Sequence, residues 1–245
     1  MQRDKEDISY DKEYSTLINS IIDVDYFNNL RILPITKIGI RNSELMYKIR
    51  ETVPHIENGT LIEKIIPPSL INAYLGEDIS RNFEGVTGFI TKWSDLDNDF
   101  YLSDIIKELA LTYRKSQFFN GEIDQVADIS KVEHNEKMVD TIYAVKTISI
   151  RNSKEDDFLK IPFGTSVGST NMQEIELYIK ENEPFTGNGF TSGPTRVIPE
   201  FYIKFEYGRE YAQPFIEGDE IYEITEYAIK HIAIFDSLNQ KWQRV

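Results

Sequence analysis

The chain lacks cysteine altogether and contains little histidine. No cysteine occurs among its 245 residues, which excludes disulfide bonds, thiolate zinc sites and cysteine nucleophiles. The three histidines, His55, His134 and His231, lie far apart, and none belongs to an HExxH or His-x-His motif. Because a histidine-based metal centre needs several imidazoles at short spacing, we expect no metal site of that type.

Long apolar runs and positive charge are also scarce. No apolar run approaches the ~18 residues that span a bilayer, and 27 basic against 41 acidic residues give a net charge of −14. Nucleic acids and anionic membranes attract basic surfaces, so non-specific binding to either is not expected. Apolar and aromatic residues are abundant, at 40% and 12% of the chain, enough for a sizeable core in one or two domains.

The N-terminal segment is strongly polar. Residues 2–7 carry charge at five of six positions, so we expect a mobile tether over residues 1–12 and a single α+β domain over residues 13–245. The segment resembles the start of mature Bacteroidota lipoproteins, just after the lipidated cysteine, with Met1 in the place of that cysteine. This resemblance implies an outer-membrane lipoprotein of the cell envelope, facing the periplasm or the cell surface. A cytoplasmic protein with a charged tail is the alternative.

Hydrophobic periodicity predicts helices in the first half of the chain. Apolar residues at helical spacing indicate one helix over residues 12–22, with Asp11 as its N-cap, and a clearer one over residues 101–113. Residues 35–40 and 60–66 are typical of two short strands.

The second half of the chain is richer in strand patterns. A long β-rich run covers residues 139–150, and further strands are expected over 219–226, 229–235 and 240–244. The short turns between the last three leave no room for a crossover helix, so they predict antiparallel hairpins. The expected fold class is therefore α+β, with helices mainly in the N-terminal half and an antiparallel β-meander sheet in the C-terminal half.

The most unusual stretch of sequence is a Gly/Thr/Phe-rich loop over residues 184–196. Glycines permit positive φ and a close backbone approach, and exposed N–H groups in such a loop can cradle an anion. A long connection between strands with aromatic anchors is the simpler interpretation. If the loop binds a ligand, the candidate ligand-binding residues are Phe185, Thr186, Gly187, Asn188, Gly189, Phe190 and Thr191.

Three alternating carboxylates, Asp95, Asp97 and Asp99, resemble the start of a calcium-binding loop. The full EF-hand pattern fails, because Phe100 stands where glycine is needed and Ile106 where the bidentate glutamate is needed. An acidic turn before the helix over 101–113 explains the same residues through the helix dipole. We therefore predict no metal and keep these aspartates as weak candidates.

Arg151, Ser192 and Glu220 are the candidate catalytic residues. Their order along the chain resembles the Arg, Ser-Thr-Ser, Glu plan of ADP-ribosyltransferases, although the middle motif here is Phe-Thr-Ser-Gly and the last is Glu-Gly-Asp-Glu. The resemblance implies NAD as cofactor, with the arginine on its phosphates and the glutamate on a ribose hydroxyl. Otherwise no cofactor is predicted.

Three functions are compatible with these patterns. The leading hypothesis is a non-enzymatic, envelope-anchored protein that binds an unidentified protein or small-molecule ligand. The second is an NAD-using ADP-ribosyltransferase or glycohydrolase of the toxin type. The third is an acidic immunity-type protein, whose net charge of −14 would steer it toward a basic toxin.

Overall fold

The computed structural model describes residues 9–96, 100–112, 116–119, 138–155, 159–161, 186–203 and 212–245. Most of the predicted tether, together with Asp97, Asp99 and Phe185, lies outside these residues. The described helices are α1 (Tyr10–Asn19), α2 (Val24–Arg31), α3 (Ile35–Arg50), α4 (Ile71–Tyr74) and α5 (Leu102–Glu108). The described strands are β1 (Leu61–Ile66), β2 (Gly85–Val86), β3 (Gly88–Lys92), β4 (Thr141–Ile148), β5 (Leu159–Lys160), β6 (Phe201–Ile203), β7 (Gln213–Pro214), β8 (Glu220–Thr225), β9 (Ile229–Asp236) and β10 (Lys241–Arg244).

Eight of the described strands form one sheet, in the order β10-β9-β8-β4-β1-β3-β6-β5, and every neighbouring pair is antiparallel. The predicted α+β class is confirmed, with β8, β9 and β10 as the C-terminal meander. Two strands from the first half, β1 and β3, occupy central positions in this sheet. Strands β2 and β7 form a separate small ladder.

Helix α1 begins at Tyr10, two residues before the predicted start. Ser9 is its N-cap and accepts a hydrogen bond from the Lys12 amide, so Asp11 is not the cap. The reason is tertiary packing, because the Tyr10 ring is buried 5.8 Å from the ring of Phe190. Residues 10–12, which the sequence assigned to the tether, therefore belong to the folded domain.

The predicted strand over residues 35–40 is wrong, because these residues begin helix α3. Ile35 and Ile38 are both buried, and their three-residue spacing fits a helix. Gly39 then adopts φ +75° and kinks the helix, a conformation that glycine adopts without steric cost.

The sheet has a different apolar cluster on each face. One cluster combines α1–α3 with Ile62, Val145 and Ile221. The other combines α5 with Ile142 and Ile224, which neighbour each other across β4 and β8. Because side chains alternate between the faces of a strand, the residues of β4 and β8 divide between the two clusters.

Helix α5 is shorter than predicted, because it ends at Glu108, and it contains only the first part of the predicted apolar stripe. Its side chains Leu102, Ile105 and Ile106 are buried. At its C-terminal end the Glu108 carboxylate accepts hydrogen bonds from the backbone amides of Thr195 and Arg196, at 3.2 and 2.8 Å. This contact fixes the segment after residue 190 against the helix. Among the described residues, no helix combines the length and the apolar character that a membrane span requires.

Candidate functional site

A row of polar side chains crosses the middle of the sheet on the α5 face. Strand register places Thr91 beside Glu63, Glu63 beside Lys146, and Lys146 beside Glu220, on the four neighbouring strands β3, β1, β4 and β8. Directly paired residues of antiparallel strands project from the same face, with Cβ atoms about 4.5–5.5 Å apart. All four are buried, so the sheet gathers two carboxylates and one ammonium group with little access to water.

Lys146 and Glu220 form the centre of this row. The Lys146 ammonium lies 3.0 Å from Glu220 Oε2, and the Tyr222 hydroxyl donates to the same oxygen at 2.9 Å. The ammonium also lies over two rings, 4.7 Å from the centre of Trp93 and 5.6 Å from that of Tyr222. The His231 ring lies beside the Tyr222 ring at an interplanar angle of 31°, with ring centres 5.3 Å apart.

The set formed by Thr91, Glu63, Lys146, Glu220, Tyr222, Trp93 and His231 is named the Lys146 site below. Its inner members are buried, whereas Trp93, Tyr222 and His231 are half-buried. The three aromatic residues are therefore the more exposed members of the site.

The electrostatics of the site keep Glu220 ionised and Tyr222 protonated. Burial raises the pKa of Glu220, but hydrogen bonds from Lys146 and Tyr222 outweigh burial and bring that pKa below its ordinary value. Burial, followed by the neighbouring Glu220 carboxylate, raises the pKa of Tyr222 above its ordinary value. At neutral pH the site therefore holds a carboxylate that accepts and a phenol that donates.

The chain matches no protein-family model, no curated protein and no solved structure.

The structure assigns the three candidate catalytic residues to distinct surroundings. Glu220 belongs to the Lys146 site. Arg151 follows β4 at the end of the sheet where β8 begins, and its guanidinium donates to the Ala212 carbonyl at 3.5 Å. Ser192 is half-buried in a segment whose carbonyls at Thr191 and Gly193 accept hydrogen bonds from Arg31 of α2. Their joint role in catalysis stays a prediction.

The described part of the predicted ligand-binding loop is packed into the protein. Asn188 is fully buried; its amide nitrogen donates to the carbonyls of Arg31 and Leu33, and its oxygen accepts from the Phe190 amide. The Phe190 ring contacts Phe27 edge-on, with ring centres 5.4 Å apart. The remaining described loop residues, Thr186, Gly187, Gly189 and Thr191, are also buried. In this arrangement the loop connects α2 to the core, and ligand binding by it stays a prediction.

Asp95 is the one described member of the carboxylate triplet. It is buried, and its Oδ1 accepts a hydrogen bond from the Tyr10 amide at 2.9 Å. The first N–H groups of a helix have no acceptor within the helix, and Asp95 provides one for the Tyr10 amide. Within the described ranges, no group of three or more His, Asp or Glu residues is placed to hold a metal ion.

A further carboxyl belongs to the half-buried Glu200, which directly precedes β6. Its Oε2 atom is buried without a hydrogen-bond partner among the described residues, and burial raises the pKa of Glu200 to about 7. Neither Glu200 nor Lys146 belongs to a recognisable motif in the sequence. The sequence signal for Lys146 is its position inside the largely apolar strand Thr141–Ile148. A charged residue at the centre of a strand that is buried on both faces needs a partner.

Proposed function

We propose that the chain is a binding protein for a small polyhydroxylated ligand, and that the Lys146 site is its binding site. The observation that carries the proposal is the buried Lys146–Glu220 pair, framed by the rings of Trp93 and Tyr222. The pair and the two rings bring a hydrogen-bond acceptor, a hydrogen-bond donor and two aromatic surfaces together in one small region of the sheet.

Stability alone does not account for such a pair. Removing two charges from water costs several kcal/mol per ion, and apolar side chains of similar volume are often as stable or more so. The same sheet face already contains apolar residues a short distance away, at Ile142, Ala144 and Ile224. A chain selected only for stability would extend that apolar cluster, so the charged pair supports a role in recognition.

The chemistry of the site suits a ligand rich in hydroxyl groups. The carboxylates of Glu63 and Glu220 accept hydrogen bonds, whereas the Lys146 ammonium donates them. The half-buried rings of Trp93 and Tyr222 offer apolar surface next to these polar groups. Sugars present this combination, because their rings have apolar C–H faces and polar edges.

The state of Glu220 favours binding over proton transfer. Its carboxylate already accepts from Lys146 and Tyr222, and its pKa lies below the ordinary value. A general acid at neutral pH needs the opposite shift. We therefore place Glu220 in ligand recognition, with NAD chemistry as the competing function.

A thermal-shift titration tests this proposal. The probes are glucose, galactose, mannose, N-acetylglucosamine and lactose at millimolar concentration, with NAD as a separate arm. At least one sugar is expected to raise the melting temperature, and Glu220→Gln is expected to abolish the rise. Glu223→Gln is the matched control, because Glu223 lies on the same strand but points to the opposite face.

Two outcomes would overturn the sugar proposal. One is the absence of any sugar-dependent shift in the parent protein. The other is a shift with NAD that Glu220→Gln removes, followed by NAD consumption in solution; this would favour the transferase hypothesis.

We also propose that this binding protein is held at the cell envelope by an N-terminal lipid. The support is the charged segment over residues 2–7 and its resemblance to mature lipoproteins. Metabolic labelling of the natural gene product with a radioactive fatty acid is expected to label the protein. Recovery of unlabelled protein in the cytosolic fraction would contradict the anchor.

A further inference from the structure

The polar row of the Lys146 site continues past Thr91 to Glu200. Strands β3 and β6 pair Ile90 with Phe201, so Thr91 and Glu200 lie opposite each other one step beyond the last pair of that ladder. Phe201 belongs to the apolar cluster on the α1–α3 face of the sheet. Because neighbouring residues of an extended chain point to opposite faces, Glu200 projects from the α5 face, as Thr91 and Glu63 do.

The extended row contains more carboxyl groups than cations. Glu63, Glu200 and Glu220 supply three carboxyl groups, while Lys146 is the one cation that the register of the described strands places in the row. The Lys146 ammonium is bound to Glu220 at 3.0 Å. The extended row therefore has room for a further positive charge.

Glu200 offers an acceptor for that charge. Its Oε2 atom is buried and has no hydrogen-bond partner among the described residues. A buried polar atom without a partner costs free energy, which a donor on a ligand recovers. Burial raises the pKa of Glu200 to about 7, and a neighbouring cation favours the ionised form. A ligand ammonium therefore fits this position better than a neutral hydroxyl does.

An aromatic pair borders Glu200 on the same face. Phe89 and Tyr202 are direct partners across β3 and β6, and their rings meet edge-on with centres 5.0 Å apart. Phe89 is 38% exposed and Tyr202 is half-buried, so solvent reaches the pair. The pair presents accessible apolar surface two residues along each strand from Thr91 and Glu200.

We propose that Glu200, Thr91, Phe89 and Tyr202 form a subsite for an amino sugar, the β3–β6 subsite, in which the ammonium group of the sugar binds Glu200. The apolar C–H face of the sugar ring packs on the aromatic pair. The Thr91 hydroxyl donates to Glu63 at 3.4 Å, so its oxygen is left to accept from a sugar hydroxyl. The net charge of −14 assists the approach of a cationic ligand. This inference rests on the proposed sugar-binding function and specifies the class of sugar.

Thermal-shift titrations of the full chain at neutral pH test the inference. Glucose is compared with glucosamine and galactose with galactosamine. N-acetylglucosamine provides the uncharged counterpart, and ethanolamine provides an amine without a sugar ring. The amino sugars are expected to half-saturate the protein at about tenfold lower concentration than the neutral sugars, as one charge-assisted hydrogen bond provides. Glu200→Gln is expected to remove this difference and to leave the response to glucose within about twofold.

A second glutamate supplies the matched control. Glu223 is also half-buried in the same sheet but points to the opposite face, so Glu223→Gln is expected to keep the preference for amino sugars. Glu200→Asp, which retains the charge, is expected to keep part of it. Circular dichroism checks that each variant is folded.

The outcomes separate the subsite from the proposed function. Equal responses to glucose and glucosamine would overturn the subsite and leave sugar binding in place, and a preference that survives Glu200→Gln would overturn the role of Glu200. A response to ethanolamine alone, lost in Glu200→Gln, would support the ammonium contact and overturn sugar binding. A protein that responds to none of the probes would overturn both.

Discussion

Breaking the Lys146–Glu220 pair is expected to be costly, and replacing the second partner as well is expected to add little to that cost. Lys146→Met leaves the Glu220 carboxylate in the sheet with Tyr222 as its remaining hydrogen-bond donor among the described contacts. Removing one partner of a buried pair costs about 3–5 kcal/mol. The two side chains keep 8% and 11% of their exposure, so we expect the lower end, about 3 kcal/mol.

That loss is large enough to measure by two methods. For a chain of this length, each kcal/mol shifts the melting temperature by about 2–4 °C, so Lys146→Met should melt about 6–12 °C lower. Urea unfolding followed by circular dichroism gives the free energy directly. The double variant Lys146→Met, Glu220→Leu should be no less stable than Lys146→Met alone, because the unpaired Glu220 carboxylate is then gone, although the Glu63 carboxylate still lies beside position 146.

The pH dependence provides an independent check on the same pair. The folded state lowers the pKa of Glu220, so the ionised carboxylate stabilises the fold above the unfolded pKa of about 4.3. This contribution is lost as the pH falls through the lower folded pKa. The stability advantage of the parent over Glu220→Gln should therefore be full at pH 7 and shrink below about pH 4.

Additive losses would refute this reasoning. If the double variant loses the sum of the two single losses, the coupling energy is zero and the pair does not interact. Single variants that each cost less than about 0.5 kcal/mol would show that both groups are solvated, as surface groups are.

Two further predictions concern buried polar groups. Asn188→Ala leaves two carbonyls and one amide buried without their partner. In urea titrations it should lower the unfolding free energy by about 3 kcal/mol. The control Asn29→Ala, at an exposed position of α2, should cost less than about 0.5 kcal/mol. Glu200 has its pKa raised to about 7, so stability should fall from about pH 4.5 to pH 7 as the unfolded chain ionises first. Glu200→Gln should flatten that part of the plot of melting temperature against pH; an unchanged slope would contradict the burial of the Glu200 carboxyl.

The fold class could be predicted from the sequence because its patterns are local. The stripe in α5 and the short turns between β8, β9 and β10 each indicate their structure within a few residues. The strand predicted over residues 35–40 is wrong because the local pattern there is ambiguous. Their three isoleucines fit a helix or a strand, and only the packing of Ile35 and Ile38 against the core decides between the two.

The site could be predicted only in part. The order of Arg151, Ser192 and Glu220 along the chain points to Glu220, but the partners of its carboxylate are set by strand register, which joins residues far apart in sequence. Lys146 stood inside an apolar run without a visible partner. The loop over residues 186–191 is conspicuous in the sequence, but it is buried in the structure. Its glycine content indicates an unusual backbone and does not indicate whether that backbone faces solvent or the core.

The central position of β1 has a consequence for synthesis on the ribosome. β1 emerges long before β4, its partner along one whole edge, because residues 67–140 separate the two strands. At about 5–20 residues per second, an isoleucine-rich strand waits several seconds with that edge unpaired. Open edges of this kind recruit other strands, so the nascent chain is exposed to aggregation during this interval, and a holdase that covers β1 until β4 emerges would raise the yield of native protein.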